Sequence, residues 1–441
     1  MAGSAALSYE QAPPFSLPVR FFLSAPLFVT AAGVLVMVVG DEIFASRWMP
    51  ATLALTHLLT VGFMLMVMLG GLLQVLPVVM GVRLVAARSM GSIVHLLLFA
   101  GAVVLPLAFL VGKPLLFQSA ALLLGVAVLL FLLSAWRSLL ALADSSPSIV
   151  GIRCSLLGLA VAVGLGVIMA AGLGRGWALP YLALTDLHAA WGLAAWGGML
   201  LAALSYLVVP MFQMTPPYAT RFSAWMLGTV FAGVLLWSLG VWGEAALAVA
   251  LAGLLLALAG GSYAGHSLQL FARRRRARRD ATFWFWQSGL VSALLAVLML
   301  PLALLLPELA AHRAWALTFG LLLGIGGFMS VMTGMLYKIV PFLAWLHLQD
   351  LGRARRKVPS MVALLPEARM KRQLALHLAS LAGMLLAAGW PALLAWPAGL
   401  LLAASGLALF ANLAGVAFAY RRATAQLDAG NINKTEQSAP G

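Results

Sequence analysis

Charge is what this sequence has least of. Only 9% of its 441 residues are Asp, Glu, Lys or Arg, while 63% are apolar. A water-soluble globular surface cannot be built from so few charged groups, and that class is excluded. Acidic groups are scarcest. The twelve (Glu10, Asp41, Glu42, Asp144, Asp186, Glu244, Asp280, Glu308, Asp350, Glu367, Asp428 and Glu436) all fall in loops, tails or the ends of apolar runs. Proton- and sodium-coupled transporters usually hold their ion with a carboxylate at mid-membrane, so this lack weighs against them. A single cysteine, Cys154, excludes an intramolecular disulfide and any cysteine-ligated cluster. The first nineteen residues carry no basic stretch ahead of an apolar one, so no cleaved signal peptide is expected.

What is present is a succession of apolar runs, each of about 18 to 25 residues, the length that crosses a bilayer as a helix. Twelve spans are expected, roughly at 20–40, 52–77, 91–111, 115–136, 150–173, 181–210, 223–242, 245–270, 282–306, 313–345, 373–389 and 392–420. The domain reading is an N-terminal segment 1–19, one transmembrane unit 20–421 and a disordered tail 422–441. Arginine and lysine divide unevenly between the two sets of loops. Arg83, Arg88, Arg137, Arg153, Arg221, the run Arg273 to Arg279 and the stretch Arg353 to Arg372 lie on one side, with only Arg47, Lys113, Arg175 and Arg313 on the other. This bias predicts an inner, cytoplasmic membrane of bacterial type with both termini in the cytoplasm. The net charge of +15 is therefore a topology signal, with the bilayer as partner and no nucleic acid. ARRRRARRD, which also invites an anionic-lipid reading, is short and juxtamembrane, and anchors that topology.

The stretch around which the chain is organised runs from His57 to Pro77, HLLTVGFMLMVMLGGLLQVLP. It returns as His188 to Pro210 and, without the histidine, as Thr318 to Pro341. Three copies about 130 residues apart predict an internal repeat. At ~100° per residue Tyr206, 18 residues on, falls on the face of His188. Gln74, 17 residues after His57, is the hydrogen-bonding side chain at the other end of that helix, about 100° round from it. Tyr337 matches Tyr206 in the third copy. The bland alternative is that Gly, Pro and Tyr are ordinary at the ends of membrane helices.

Histidines are the ionisable groups left inside. His57, His188 and His312 fall at the outer ends of spans 2, 6 and 10; His95, His266 and His377 lie nearer the basic side, and His347 follows span 10. A polar side chain in lipid costs several kcal/mol unless it is used, and neutral imidazole is the commonest metal and haem ligand. His57 and His188 are thus the candidate ligands, as a pair, with His312 a third metal-binding candidate. His95 and His377, each near the start of its span, form a candidate second site; a hydrogen bond to a neighbouring carbonyl is the plainer use of either. Asp186, two residues from His188, is a candidate orienting group. Gly320, Gly324, Gly327 and Gly334 along span 10, and the methionines at 64, 66, 68, 329, 332 and 335, read as packing before they read as a ligand surface or Cu(I) site.

Some of these residues resemble known proteins. Span 2, with its histidine, Gly70-Gly71 and Leu-Pro-Val-Val-Met-Gly81, resembles the catalytic subunit of haem–copper oxidases, as does the Tyr-x-x-x-Pro end of span 10. PVRFFL near the start and His57-Leu-Leu-Thr-Val-Gly62-Phe63 resemble the NnrS family of haem- and copper-containing membrane proteins. The resemblance implies an all-α, twelve-helix fold of three pseudo-repeats of four helices. It implies haem, b-type, with copper as a second cofactor, an electron-transfer or assembly partner, and a place in respiratory redox or nitric oxide physiology. Departures matter as much: the oxidase histidines of spans 6, 7 and 10 have no counterpart, and Phe319 and Gly320 stand where a third repeat histidine would fall. No oxygen reductase activity is expected. The rivals are a small-solute permease and a non-enzymatic assembly or sensor protein.

Overall fold

The computed structural model describes residues 13–437, apart from 82, 83, 85, 141, 143 and 352–357. All regular structure in the described residues is helical. Among the described residues, eleven helices are long and apolar enough to cross a membrane. They are α1 (Ser16–Phe44), α2 (Pro50–Val78), α3 (Ala87–Val111), α4 (Pro114–Leu140), α5 (Pro147–Arg175), α6 (Tyr181–Gln213), α7 (Thr220–Trp242), α8 (Ala246–Ala272), α9 (Ala281–Leu305), α10 (Arg313–Asp350) and, after one more helix, α12 (Pro391–Leu427). That remaining helix, α11 (Glu367–Gly389), opens on Glu367, Arg369, Lys371 and Arg372 and is too polar to meet the same measure. It begins six residues before the apolar run that marked it in the sequence. The last helix continues to Gln437, beyond the boundary drawn at 421. Arg83, residues 353–357 of the basic loop and the final residues 438–441 lie outside the described residues.

Helix ends follow local chemistry. Proline sits at the first turn of α2 and α5, where its missing N–H leaves no bond unmade. Gly112 ends α3 at φ +72° and lets the chain enter α4 within two residues. Asp280 caps α9 by accepting from Phe283 N.

The contacts between helices close into a ring. α1, α3, α4, α5, α7, α8, α9, α11 and α12 each touch the next, and α12 returns to α1. Inside it stand α2, α6 and α10. Their most apolar windows are 56% to 78% buried, against 28% to 50% for the other eight spans measured. Each of these three central helices carries an eight-residue π-helical stretch: Leu58–Leu65, Trp191–Gly198 and Leu322–Met329. Each stretch starts 19 residues before a proline within the same helix (58 to 77, 191 to 210, 322 to 341). The three stretches meet at the centre, where Phe63, Met66, Trp196, Ile325 and Phe328 share one core. A Cβ on Gly197 of α6 would stand 3.1 Å from Phe328 of α10, and one on Gly158 of α5 would strike the α6 backbone at Ala195.

Candidate functional site

His57 ends the regular first part of α2, immediately before its π stretch, and His188 lies three residues before that of α6. The structure brings the two rings together: their centroids are 6.3 Å apart and their planes differ by 24°. His57 Nδ1 lies 2.7 Å from the carbonyl of Leu53, one turn back. His188 Nδ1 lies 2.8 Å from the carbonyl of Ala162 on α5. A carbonyl oxygen only accepts, so in each ring Nδ1 carries the proton and Nε2 keeps its lone pair. Neither Nε2 has a hydrogen-bond partner among the described residues. Both side chains are half-buried.

The walls come from the ring of outer helices. Phe109 of α3 packs against His57 with its ring centre 5.2 Å away, and Phe117 of α4 meets Phe109 edge-on at 5.4 Å. Opposite, Gly166 of α5 faces His188; a Cβ there would come within 3.1 Å of Cε1. Leu53, Phe109, Ala162 and Gly166 carried no signal in the sequence, because a carbonyl, an apolar ring and a glycine on three different helices have no shared spacing.

The other expected residues are placed elsewhere. His312 is at the N-terminal end of α10, where Ala314 N–H donates to its Nδ1 at 3.3 Å and makes it a helix cap. Asp186 pairs with Arg47 at 3.3 Å rather than with His188. Gln74 is 17 residues from His57, and Tyr206 is 18 from His188, so roughly 25 Å of helix separates them from the pair. The π turns between His188 and Tyr206 also shift the phase by on the order of 100°, so the shared face expected of that pair from a uniform helix is lost. Gln74 is buried, with both amide atoms lacking a protein partner. Tyr206 packs on Tyr218, ring centres 5.0 Å apart. Tyr337 donates to Gln373 Oε1 at 3.2 Å and accepts from Asn412 Nδ2 at 2.8 Å.

His95 and His377 are held by different helices. His95 Nε2 lies 2.9 Å from Ser24 Oγ on α1. His377, fully buried on α11, has Nε2 2.6 Å from Ser330 Oγ on α10, and its Nδ1 is without a partner. Among the described residues, no three His, Cys, Asp or Glu side chains converge on one point.

A cavity of ≈ 420 Å³ lies beyond α6, between α6, α7, α8, α9 and α10. Asp186, Ala190 and Leu193 line it, about 160° round the helix from His188. Arg47 and Asp186 stand at one end and Tyr263 towards the other, and the walls between are apolar. Neither histidine of the pair borders it.

No family model matches the chain, and no characterised protein is significantly similar to it. Fold and site together define a polytopic helical membrane protein with two histidines of neighbouring core helices set side by side.

Proposed function

We propose that His57 and His188 would hold a haem, b-type, on the less basic side of an inner membrane. The observation that carries this is the 6.3 Å between ring centres. That is close enough for the two rings to share one metal, each metal–imidazole bond being about 2.0 Å. The donor set fits as well. Each Nδ1–H is tied to a backbone carbonyl, which fixes the tautomer and orients Nε2 as the ligating atom. Gly166 leaves His188 room to hold that position, and Phe109 keeps water from one face of His57. Haem bound by two imidazoles supplies one-electron transfer.

In this reading all twelve long helices cross the bilayer, α11 included, as three related sets of four centred on α2, α6 and α10. The arginine-rich ends and both termini face the cytoplasm. The likeness of His57 through Phe63 to the NnrS family supports a place in respiratory redox or nitric oxide physiology, with an electron-transfer or assembly partner. Copper is the second candidate metal, since two neutral imidazoles also suit Cu(I).

The absorption spectrum of protein purified from haem-replete cells tests this. A low-spin haem band is expected, lost in both His57→Ala and His188→Ala. A spectrum without haem, with stoichiometric copper by elemental analysis, would move the same pair to copper; protein carrying neither would refute a ligand role. The ≈ 420 Å³ cavity supports a permease as the second reading. Uptake of a lipophilic solute into vesicles, blocked by Ala190→Phe and unaffected by His57→Ala, would favour it.

A further inference from the structure

The arginine run between α8 and α9 is more than a solvated charge cluster. Six arginines occupy seven positions, Arg273 to Arg279. Two carboxylates answer them: Asp280 takes Arg276 at 3.1 Å but also Lys338 at 2.8 Å, and Glu367 takes both Arg278 and Lys371. Arg274 and Arg279 have no carboxylate at ion-pair distance among the described residues. Both are instead held against aromatic faces. Arg274 lies 4.1 Å above Phe283, and Arg279 lies 5.5 Å from Phe283 and 5.7 Å from Trp284. The Arg274 guanidinium also donates to Ala277 O at 3.2 Å.

Arg279 is exposed, but its guanidinium stays on the same concave surface as those of Arg274 and Arg276. Arg274, Arg276 and Arg279 line a pocket of ≈ 320 Å³ whose other wall is Leu268 of α8 with Trp284 and Gln287 of α9. Arg274 and Arg276 are half-buried. Burial first, and then the charges of Arg279 and Arg276, lower the Arg274 pKa against the opposing pull of Asp280. A concave site with surplus guanidinium charge, placed where two membrane-length helices end, asks for an anion whose remainder lies in the bilayer. The surface below it agrees. Trp284, Val291, Leu295 and Leu298 are 40% to 49% exposed and fall on one face of α9, in line for an acyl chain.

We propose that this pocket binds the phosphate headgroup of an anionic phospholipid of the leaflet on the arginine-rich side. Arg274 and Arg279 meet the phosphate, Gln287 stands at the level of the ester oxygens, and the acyl chains run down α9. Arg276 stays with Asp280 and is not needed as a direct ligand.

Full-length protein in mixed micelles, titrated with phosphatidylglycerol, phosphatidylcholine or inorganic phosphate and followed by native mass spectrometry, tests this. Phosphatidylglycerol should be retained selectively. Arg274→Gln with Arg279→Gln should weaken that retention by about thirtyfold, two cations' worth near a membrane surface. Arg275→Gln with Arg273→Gln removes the same charge outside the pocket and should leave retention nearly unchanged. Equal retention of both lipids, or equal weakening by both double variants, would reduce the run to a diffuse charge and overturn the proposal. Displacement of the lipid by inorganic phosphate at equal concentration, or by DNA, would overturn the lipid as ligand.

Discussion

Asp280 accepts from Phe283 N at 3.0 Å and from Thr282 Oγ1 at 2.7 Å, while Lys338 Nζ of α10 stands 2.8 Å away. Burial by itself would raise its carboxyl, but the hydrogen bond and charge of Lys338, with Thr282 and the Phe283 N–H, pull it from 3.8 down to about 2. A carboxyl depressed in the folded state contributes stability that is complete above about pH 4 and is lost as pH falls towards 2. Thermal unfolding in detergent should therefore show a drop in midpoint across that window, absent in Asp280→Asn. At pH 7 the variant should already be less stable by about 3 kcal/mol, because Lys338 loses its partner. An identical pH profile for the two proteins would show that Asp280 is not the group responsible. Gly166 makes the matching case at the histidine pair. Gly166→Val puts a Cβ 3.1 Å from His188 Cε1 and adds two methyls to the same space, so the ring must shift. Bound haem per protein should fall by about tenfold, a change of ~1.4 kcal/mol, with the melting curve little altered.

Among the elements, α11 depends most on its neighbours. Gln373, His377 and Ser380 on its buried face are all fully enclosed. Gln373 and His377 find partners on α10 and α12, Tyr337 and Ser330 on one side and Ser405 on the other, while Ser380 donates to His377 O of its own helix. A polar helix face in an apolar surrounding is tolerated only when such bonds are made. Tyr337→Phe strips a donor from Gln373 Oε1 and an acceptor from Asn412, and should cost about 1–3 kcal/mol in thermal unfolding. The contact of α1 with α12 has a steric basis instead. A Cβ on Gly33 would lie 2.3 Å from Ala403 N and 2.5 Å from Gly399 O, both backbone atoms that cannot move aside. Gly33→Ala should destabilise by about 2 kcal/mol or more. At Gly71 of α2 a Cβ meets nothing within 4 Å, so Gly71→Ala should be neutral or gain up to ~1 kcal/mol from helix propensity. Comparable losses at the two sites would contradict the packing account.

For the molecule as a whole, membrane orientation rests on the loop charges. Reporter domains fused at Arg275 should read as cytoplasmic and those at Arg47 as periplasmic. The reverse result would place the histidine pair on the cytoplasmic side and the lipid pocket in the outer leaflet. Much of this architecture was legible beforehand, since each membrane helix must satisfy its own backbone bonds and so declares itself as an apolar run. The long helix that hydropathy describes worst, α11, is the one whose polar face needs partners from two other helices. Its existence could be read from the run 373–389, but not its start at Glu367 or the bonds that hold it.

The sequence by itself determined an all-helical membrane protein, the proline carried within each of α2, α6 and α10, and His57 and His188 as the candidate pair. Those are properties of composition and spacing along one helix. Tertiary structure decided that the two rings stand 6.3 Å apart, that Asp186 turns to Arg47, and that Gln74 and Tyr206 lie away from the pair. His57 is 20 residues before its proline and His188 is 22 before its own, so no single helical register relates them. The π stretches change that register part-way along each helix. The carbonyl that holds His57 lies one turn back on α2 itself, whereas the one that holds His188, on α5, is fixed only once the helices have packed.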